Sequence, residues 1–469
     1  MSSDFDPSEF VTIPEGWTCK RLIDCTIDDN LSYGIVQPGQ HVSNGIPVIR
    51  INNINNGQLD LQDVLKVDPE IEKKYQRTRL EGGEVLLTLV GSTGQSFVAP
   101  PELKGWNVPR AIAVIRADQE IGSDWINICL QSKETKHFLD VRANTTVQKT
   151  LNLKDVRDIP ILLPPKEVKE LIEGIATSIA KKIELNRKTN QTLEQIAQAL
   201  FKSWFVDFEP TRAKIVAKEA GASPEEIERA AMCAISGKTP DQLAQLPSET
   251  QQNLKNTAAL FPATLEDSEL GEVPEGWEVK SLSDIAQYAN GKIEVSKLHL
   301  NNYISTENML GNRGGINAAT SLPSVPTVPS FSPNQILISN IRPYFKKIWL
   351  ARFDGGRSND VLGFVAKEKG CEEFLYNLLY QDEFFEFMMR TSKGAKMPRG
   401  DKDAIADWKF VCASKASRLY FSEIIRPSYS TIESLNFESM NLSNARDKLL
   451  PKLLSGEIQL QNDEETINV

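Results

Sequence analysis

Histidine is scarce in this 469-residue chain: His41, His137 and His299 are its only three, and none has a cysteine or a second histidine at metal-ligand spacing. A tetrahedral zinc site, which draws four such ligands from short intervals, is not expected. The six cysteines, at 19, 25, 129, 233, 371 and 412, form no C-x-x-C pair, and the polar start MSSDFDPSEF carries no apolar signal segment. Reduced thiols in a cytoplasmic protein, with no disulfide framework, are the expectation. No run of residues comes near the roughly 20 apolar positions of a membrane span. The stretch GSTGQS from Gly91 lacks the lysine and the following helix of a phosphate loop, and no G-x-G-x-x-G follows a strand, which sets aside nucleotide hydrolysis and dinucleotide binding. Carboxylates are plentiful, yet none stands beside a nucleophile and a base in a readable order. These absences describe a binder rather than a catalyst.

What is present is repetition. IPEGWTCKRLIDC from Ile13 returns as VPEGWEVKSLSDI from Val273, with Trp17 and Trp277 separated by 277 − 17 = 260 residues. Further matches follow in the same order: GGEVLLTLVGS from Gly82 with SPNQILISNIRP from Ser332, AIAVIRA from Ala111 with VLGFVAK from Val361, and LKDVRDIPI from Leu153 with DKDAIADWKFV from Asp401. Each copy reads as short strands and turns, and then changes to helical spacing. From Lys166, apolar residues recur at three and four, through Ile172, Ile175, Ile179, Leu193 and Leu200, which predicts one helix of about 40 residues and on the order of 60 Å. A second such helix aligns with it without a gap at 432 − 183 = 249, carrying Ile432, Leu435, Leu442 and Leu449.

The predicted fold class is therefore α+β: two mixed α/β domains joined by two long helices packed as an antiparallel coiled coil, with an internal pseudo-twofold repeat. The divisions are a first domain at 10–163, a helix at 164–208, a helical insertion at 209–265, a second domain at 266–412, a helix at 413–458 and an acidic tail at 459–469. Asn186 and Asn190 fall near the helix seam, where they either set register or face solvent. Phe201, Trp204 and Phe205, with Leu450, Leu453 and Leu454, are large apolar groups at helix ends; they are candidate partner contacts, with packing against the chain's own domains as the equal alternative.

The net charge of −10 argues against nonspecific coating of nucleic acid, which is driven by lysine and arginine. Locally the balance differs. RPYFKKIWLARFDGGRSND gathers Arg342, Tyr344, Lys346, Lys347, Arg357 and Asn359, and RTSKGAKMPRGDK adds Lys396 and Arg399 among flexible glycines. The first domain offers Arg50, Asn52, Asn53, Ser92, Thr93, Gln95, Arg110 and Gln148 at comparable points. Arginine reads guanine, asparagine and glutamine read adenine, and lysine and hydroxyl groups hold phosphates, so these are candidate DNA contacts. A single lysine is more often plain solvated surface; two clusters at matching points of a repeat carry the inference. The aromatic residues in the second-domain stretch read as the core of a strand hairpin rather than as stacking platforms, although Tyr344 is kept among the candidate contacts.

RDKLLPKLLSGEI from Arg446 and AQALFKSWFVDFEPTRAK from Ala197 resemble the two conserved helical regions of type I restriction-modification specificity subunits, and the resemblance extends over nearly the entire chain. It implies two target recognition domains, each reading half of a split double-stranded DNA site, and no catalysis by the chain itself. It implies two methylase subunits that use S-adenosylmethionine to modify adenine, and two restriction subunits that use ATP and Mg, so that these cofactors belong to the partners. A stand-alone repressor and a non-DNA protein scaffold remain the rival readings: the first binds DNA without a methylase, and the second shows no salt-dependent DNA affinity.

Overall fold

Pro-Glu-Gly-Trp closes the same turn twice in the computed structural model of the chain. The Trp17 N–H donates to Pro14 O at 3.1 Å and the Trp277 N–H to Pro274 O at 2.9 Å. Gly16 and Gly276 take φ of 78° and 76°, the positive value that the third position of a type II turn demands. Each turn lays its tryptophan on a core: Trp17 against Trp125, and Trp277 against Phe205 and Phe208. The structure describes residues 10–55, 58, 59, 61, 64–91, 93–142 and 150–458. Among these, no helix is long and apolar enough to cross a membrane.

The chain divides into two units, residues 1–186 with 438–469, and residues 187–437. In the first, a four-stranded antiparallel sheet runs Thr26–Tyr33, Ile112–Ala117, Val85–Thr88, Ser96–Val98, beside a two-stranded pair of Thr18–Arg21 with Pro160–Leu163. In the second, the same order recurs as Ala286–Tyr288, Val361–Ala366, Ile336–Ser339, Ile348–Leu350, beside Glu278–Ser281 with Lys409–Cys412. A further sheet in the second unit joins Lys292–Glu294, Thr327–Phe331, Gly355–Arg357 and Tyr303–Ile304.

The central strands are apolar throughout because both faces are covered. Val85 and Leu87 point into one cluster with Trp125 and Ile172, while Leu86 points into another with Phe97 and Val114. Ile336 and Ile338 likewise face Phe374 and Phe384, while Leu337 faces Phe331 and Val361.

The long helices span Lys166–Phe205 and Lys415–Leu454, 40 residues each, so the gapless offset of 249 holds at both ends. Within the first unit, Ile172 and Ile175 pack with Leu449, Leu450, Leu453 and Leu454, and the Asn186 Nδ2 donates to Glu438 Oε2 at 2.7 Å and Ser439 Oγ at 3.2 Å. Low numbers meet high ones, so the helices run antiparallel. Within the second unit, the Asn190 Nδ2 donates to Asn436 Oδ1 at 2.8 Å. Asn186 is buried and thus lies in the seam, where an unmatched amide in any shifted register is unfavourable. Of the stripe Ile432, Leu435, Leu442 and Leu449 expected to meet Ile172, Ile175 and Ile179, Leu449 packs with Ile172 and Ile175, whereas Ile432 packs with Leu200 on the second unit's core, because an antiparallel pair brings the far end of the second helix to Ile172. Ile179, Leu193, Leu435 and Leu442 are half-buried.

The insertion folds as Glu209–Glu219, Pro224–Ser236, Pro240–Ala244 and Ser248–Ala258. Ser223 with Glu226, and Thr239 with Gln242, form reciprocal capping boxes with proline at the first helical position, as S-P-E-E and T-P-D-Q encode. The Lys214 ammonium is buried and donates to Ala258 O and Phe261 O at 2.7 and 2.6 Å, which ties the insertion's first helix to its last; burial lowers its pKa.

Burial pushes the Glu194 carboxyl from 4.5 up to about 7, opposed by a hydrogen bond from Tyr380 and the charge of Arg313. The folded chain therefore holds this proton longer than the unfolded chain. The group's contribution is fully favourable below the unfolded pKa and is lost as pH rises through about 7. Glu194→Gln keeps an acceptor for Tyr380 without the charge, and it is expected to raise stability by on the order of 2 kcal/mol near pH 8 and to change little near pH 4. Thermal unfolding at the two pH values reads this; equal shifts at both would contradict it.

Candidate nucleic-acid interface

In the second unit, the hairpin of Ile336–Ser339 and Ile348–Leu350 carries the basic stretch in its loop. The loop enters and leaves a short helical turn, Pro343–Phe345, through Arg342 at φ 50° and Lys346 at φ 48°. Both are left-handed, a conformation that costs about 1–3 kcal/mol for a residue with a β-carbon. Neighbouring segments hold the turn in place. The Arg342 N–H donates to Pro398 O at 2.8 Å, while Phe345 O and Lys346 O accept from the N–H groups of Asn312 and Arg313 at 2.7 and 2.9 Å. The Lys346 ammonium pairs with Asp382 at 2.7 Å, and Arg313 pairs with the same carboxylate, so that Lys346 and Arg313 together hold the Asp382 carboxyl below its usual range. The Lys347 Nζ donates to Thr306 O at 2.6 Å; burial and the nearby Arg342 lower its pKa.

The hairpin reading of the aromatics is right for Trp349, which packs on Phe331 and Phe353. It is corrected for Tyr344 and Phe345, which are 48% and 40% exposed, because the two left-handed residues lift the turn off the sheet.

Beside this loop lies a cleft of about 580 Å³ lined by Asn290, Lys292, Asn340, Arg357, Asn359, Asp360, Arg399 and Lys402, with Ala289, Gly291 and Pro329. Its side chains are four cations, three amides and one carboxylate, a set suited to an anion or to the edge of a base. The Asn340 Nδ2 donates to Gly400 O at 3.1 Å, and its Oδ1 is buried without a partner. At Gly400 a β-carbon would stand 2.6 Å from that oxygen, so a larger residue there would displace the Asn340 amide. Arg399 is exposed and pairs with Asp360, and Asn359 and Lys396 are exposed. Arg357 is not the surface cation the sequence suggested. It is 7% exposed, its guanidinium donates to Val361 O and Ala289 O, and burial lowers its pKa; it forms the wall of the cleft and holds two strand ends.

In the first unit, Asn53 is buried and its Oδ1 accepts from the Arg50 N–H at 3.0 Å, capping the turn Ile51–Asn53, so it shapes the loop rather than facing outward. Asn52 and Arg110 are exposed, and Arg50, Thr93 and Gln95 half-buried; the Gln95 Oε1 is buried without a partner. Ser92 and Gln148 lie outside the described residues. The proposed partner contacts are placed by their packing: Phe201, Trp204 and Phe205 are buried in the second unit's core, and Leu453 and Leu454 in the first's, with Leu450 half-buried against it. The alternative of packing against the chain's own domains describes them.

Sequence reasoning missed Asn290, Lys292, Asn340, Asp360 and Lys402, which converge only through the fold, and the exposure of Phe345. One signal for the latter existed: the loop of the second hairpin aligns with Gly91 to Gly94 of the first, where glycines stand at its two turning points.

A family described as the type I restriction modification DNA specificity domain matches residues 39–195. The chain is 29% identical over 413 residues to the HindI specificity subunit of Haemophilus influenzae, covering 81% of this chain and 87% of that one. It is 29% identical over 190 residues to the EcoBI specificity subunit of Escherichia coli, 40% of each. Among solved structures, the S subunit of a type I restriction-modification system from M. genitalium aligns with 95% of this chain and 98% of that one at 12% identity, with a TM-score of 0.47. The chain is similar to the specificity subunits of type I restriction-modification systems.

Proposed function

We propose that this chain reads a split double-stranded DNA target, with residues 10–163 reading one half and 266–412 the other, and that it places two adenine methylase subunits, and in the full complex two restriction subunits, on that target. The observation that carries this reading is the repeat: one sheet order, one Pro-Glu-Gly-Trp turn and one 40-residue helix, each present twice in a single chain. Two copies of one reader suit two half-sites, which on one face of B-DNA lie about 34–36 Å apart or a multiple of that. A duplicated frame also offers equivalent docking to two identical methylases while the reading loops diverge, so the target need not be palindromic. Methyl transfer with S-adenosylmethionine, and ATP-driven work, belong to the partners. In the second half-site Lys292, Arg399 and Lys402 of the cleft and Arg342 contact DNA, and in the first Arg50, Asn52 and Arg110 do so.

The test is to co-express the chain with its methylase in a host lacking adenine methylation and to map modified adenines across the genome. One motif of two specified halves and an unspecified gap is expected, modified in both halves. A stable complex with an active methylase and no modified motif would overturn the reading. Salt-dependent DNA binding by the chain alone would then favour a repressor, and its absence a scaffold.

A further inference from the structure

Tyr344 and Phe345 are the exposed aromatic pair of a rigid turn, with ring centroids 4.6 Å apart. Exposed rings are ordinarily free to fold back on nearby apolar surface. Here the backbone on both sides is pinned to residues 312, 313 and 398, and Lys346 is pinned to Asp382, so the pair is held outward. The internal repeat shows that this is particular to the second domain. In the first hairpin Leu87 pairs with Ser96, and in the second Ile338 pairs with Ile348, which makes the second loop one residue longer. The outgoing strands align at 338 − 87 = 251 and the returning strands at 348 − 96 = 252, which places Gly91 opposite Arg342 and Gly94 opposite Lys346. All four have positive φ: 76° and 82° at the glycines, 50° and 48° at the cations. The loop shape asks for glycine at both points, and the second domain has cations there instead, with two aromatic residues between them. A strained turn that carries charge at its feet and half-exposed rings at its tip is not explained by core packing, since both rings are 40% or more exposed and belong to neither core cluster of the hairpin's sheet.

Resting on the reading of this domain as a DNA half-site reader, we propose that Tyr344 and Phe345 are a wedge that enters the base stack of the second half-site, with Arg342 against a flanking phosphate. An apolar side chain driven between base pairs opens a step and kinks the duplex by about 20–90°, and stacking of an aromatic ring on a base strengthens binding by about ten- to hundred-fold per base. The first domain has no such pair at this position, so the distortion is one-sided: the half-site read by residues 266–412 is kinked and the other is not kinked by this loop.

The experiment uses the full complex with methylase, and a duplex carrying the motif found by methylation mapping, placed at permuted positions in fragments of equal length. Gel mobility then locates the bend and gives its angle, and titration gives affinity. For the wild type a bend centred in the second half-site is expected. The double variant Tyr344→Ala/Phe345→Ala is expected to lose at least about 20° of it and to bind about ten- to hundred-fold more weakly, while Phe345→Tyr retains both. Both rings are exposed, so the thermal transition of the double variant is expected to match the wild type. Unchanged bend and affinity in the double variant overturn the wedge but leave DNA recognition standing. Loss of methylase from the complex, with DNA binding by the chain intact, overturns it in favour of a protein contact. A wild-type complex with no sequence-specific affinity overturns the half-site reading itself.

Discussion

A chain in which residues 10–163 are replaced by the corresponding segment of a relative with a different target is expected to methylate a new motif, one half donated and the other half unchanged, at the wild-type gap. The effect is all-or-none for the donated half, because each mismatched base pair costs about 1–3 kcal/mol and a half-site contains several. The choice of donor follows from the packing. Ile172, Ala176, Leu453 and Leu454 belong to the long helices, yet they are buried in the same cluster as Trp125 and Ile161 of the first domain. A donor domain that does not match these four loses packing of the kind that costs 2–5 kcal/mol for a buried large-to-small change. Such an exchange lowers the stability of the first unit; restoring the donor's residues at 172, 176, 453 and 454 recovers it. Methylation mapping reads the motif and thermal unfolding reads the packing. An exchanged chain, folded and active, whose motif changes in both halves would show that the domains do not read separately.

The frame of this molecule was legible because it is written in periodicities and copied once. Apolar spacing at three and four located both long helices, and the offset of 249 predicts Lys415–Leu454 from Lys166–Phe205. The turn chemistry of Pro-Glu-Gly-Trp and the capping boxes of the insertion depend on two to four adjacent residues, and they formed as their residue types require. The site was less legible, because residue type does not say where a guanidinium points. Arg357 and Arg399 stand in similarly basic stretches, yet the first is buried on two carbonyls and the second is exposed. The left-handed backbone at Arg342 and Lys346 runs against the preference of both residues, so no local signal marks it; only the aligned glycines of the other copy do. Asn340, Lys292 and Lys402 are separated by 48 and 62 residues in the sequence and meet only in the cleft.

Phe205→Ala is expected to destabilise the second unit by about 3–5 kcal/mol, the range for deleting a fully enclosed aromatic side chain. Phe205 is 5% exposed, and its ring lies 5.1–5.8 Å from those of Phe201, Trp277, Phe374 and Phe421. It is therefore the point at which the end of the first long helix, the Pro-Glu-Gly-Trp turn and the start of the second long helix meet. Removing it leaves a cavity bordered by rings too large to collapse into it. For a unit of residues 187–437, that loss corresponds to a fall in the transition temperature of about 10 °C. Trp204 provides the contrast. It is 2% exposed, but its indole N–H is buried without a partner, an arrangement that costs about 1–3 kcal/mol. Trp204→Phe removes that donor along with some packing, so the two effects offset each other and a small net change is expected, whereas Trp204→Ala should match Phe205→Ala. Calorimetry of the chain without its partners distinguishes this from a role in docking. A residue that only touched the methylase would leave the transition where it was and weaken the complex, whereas a core residue moves the transition even when no methylase is present.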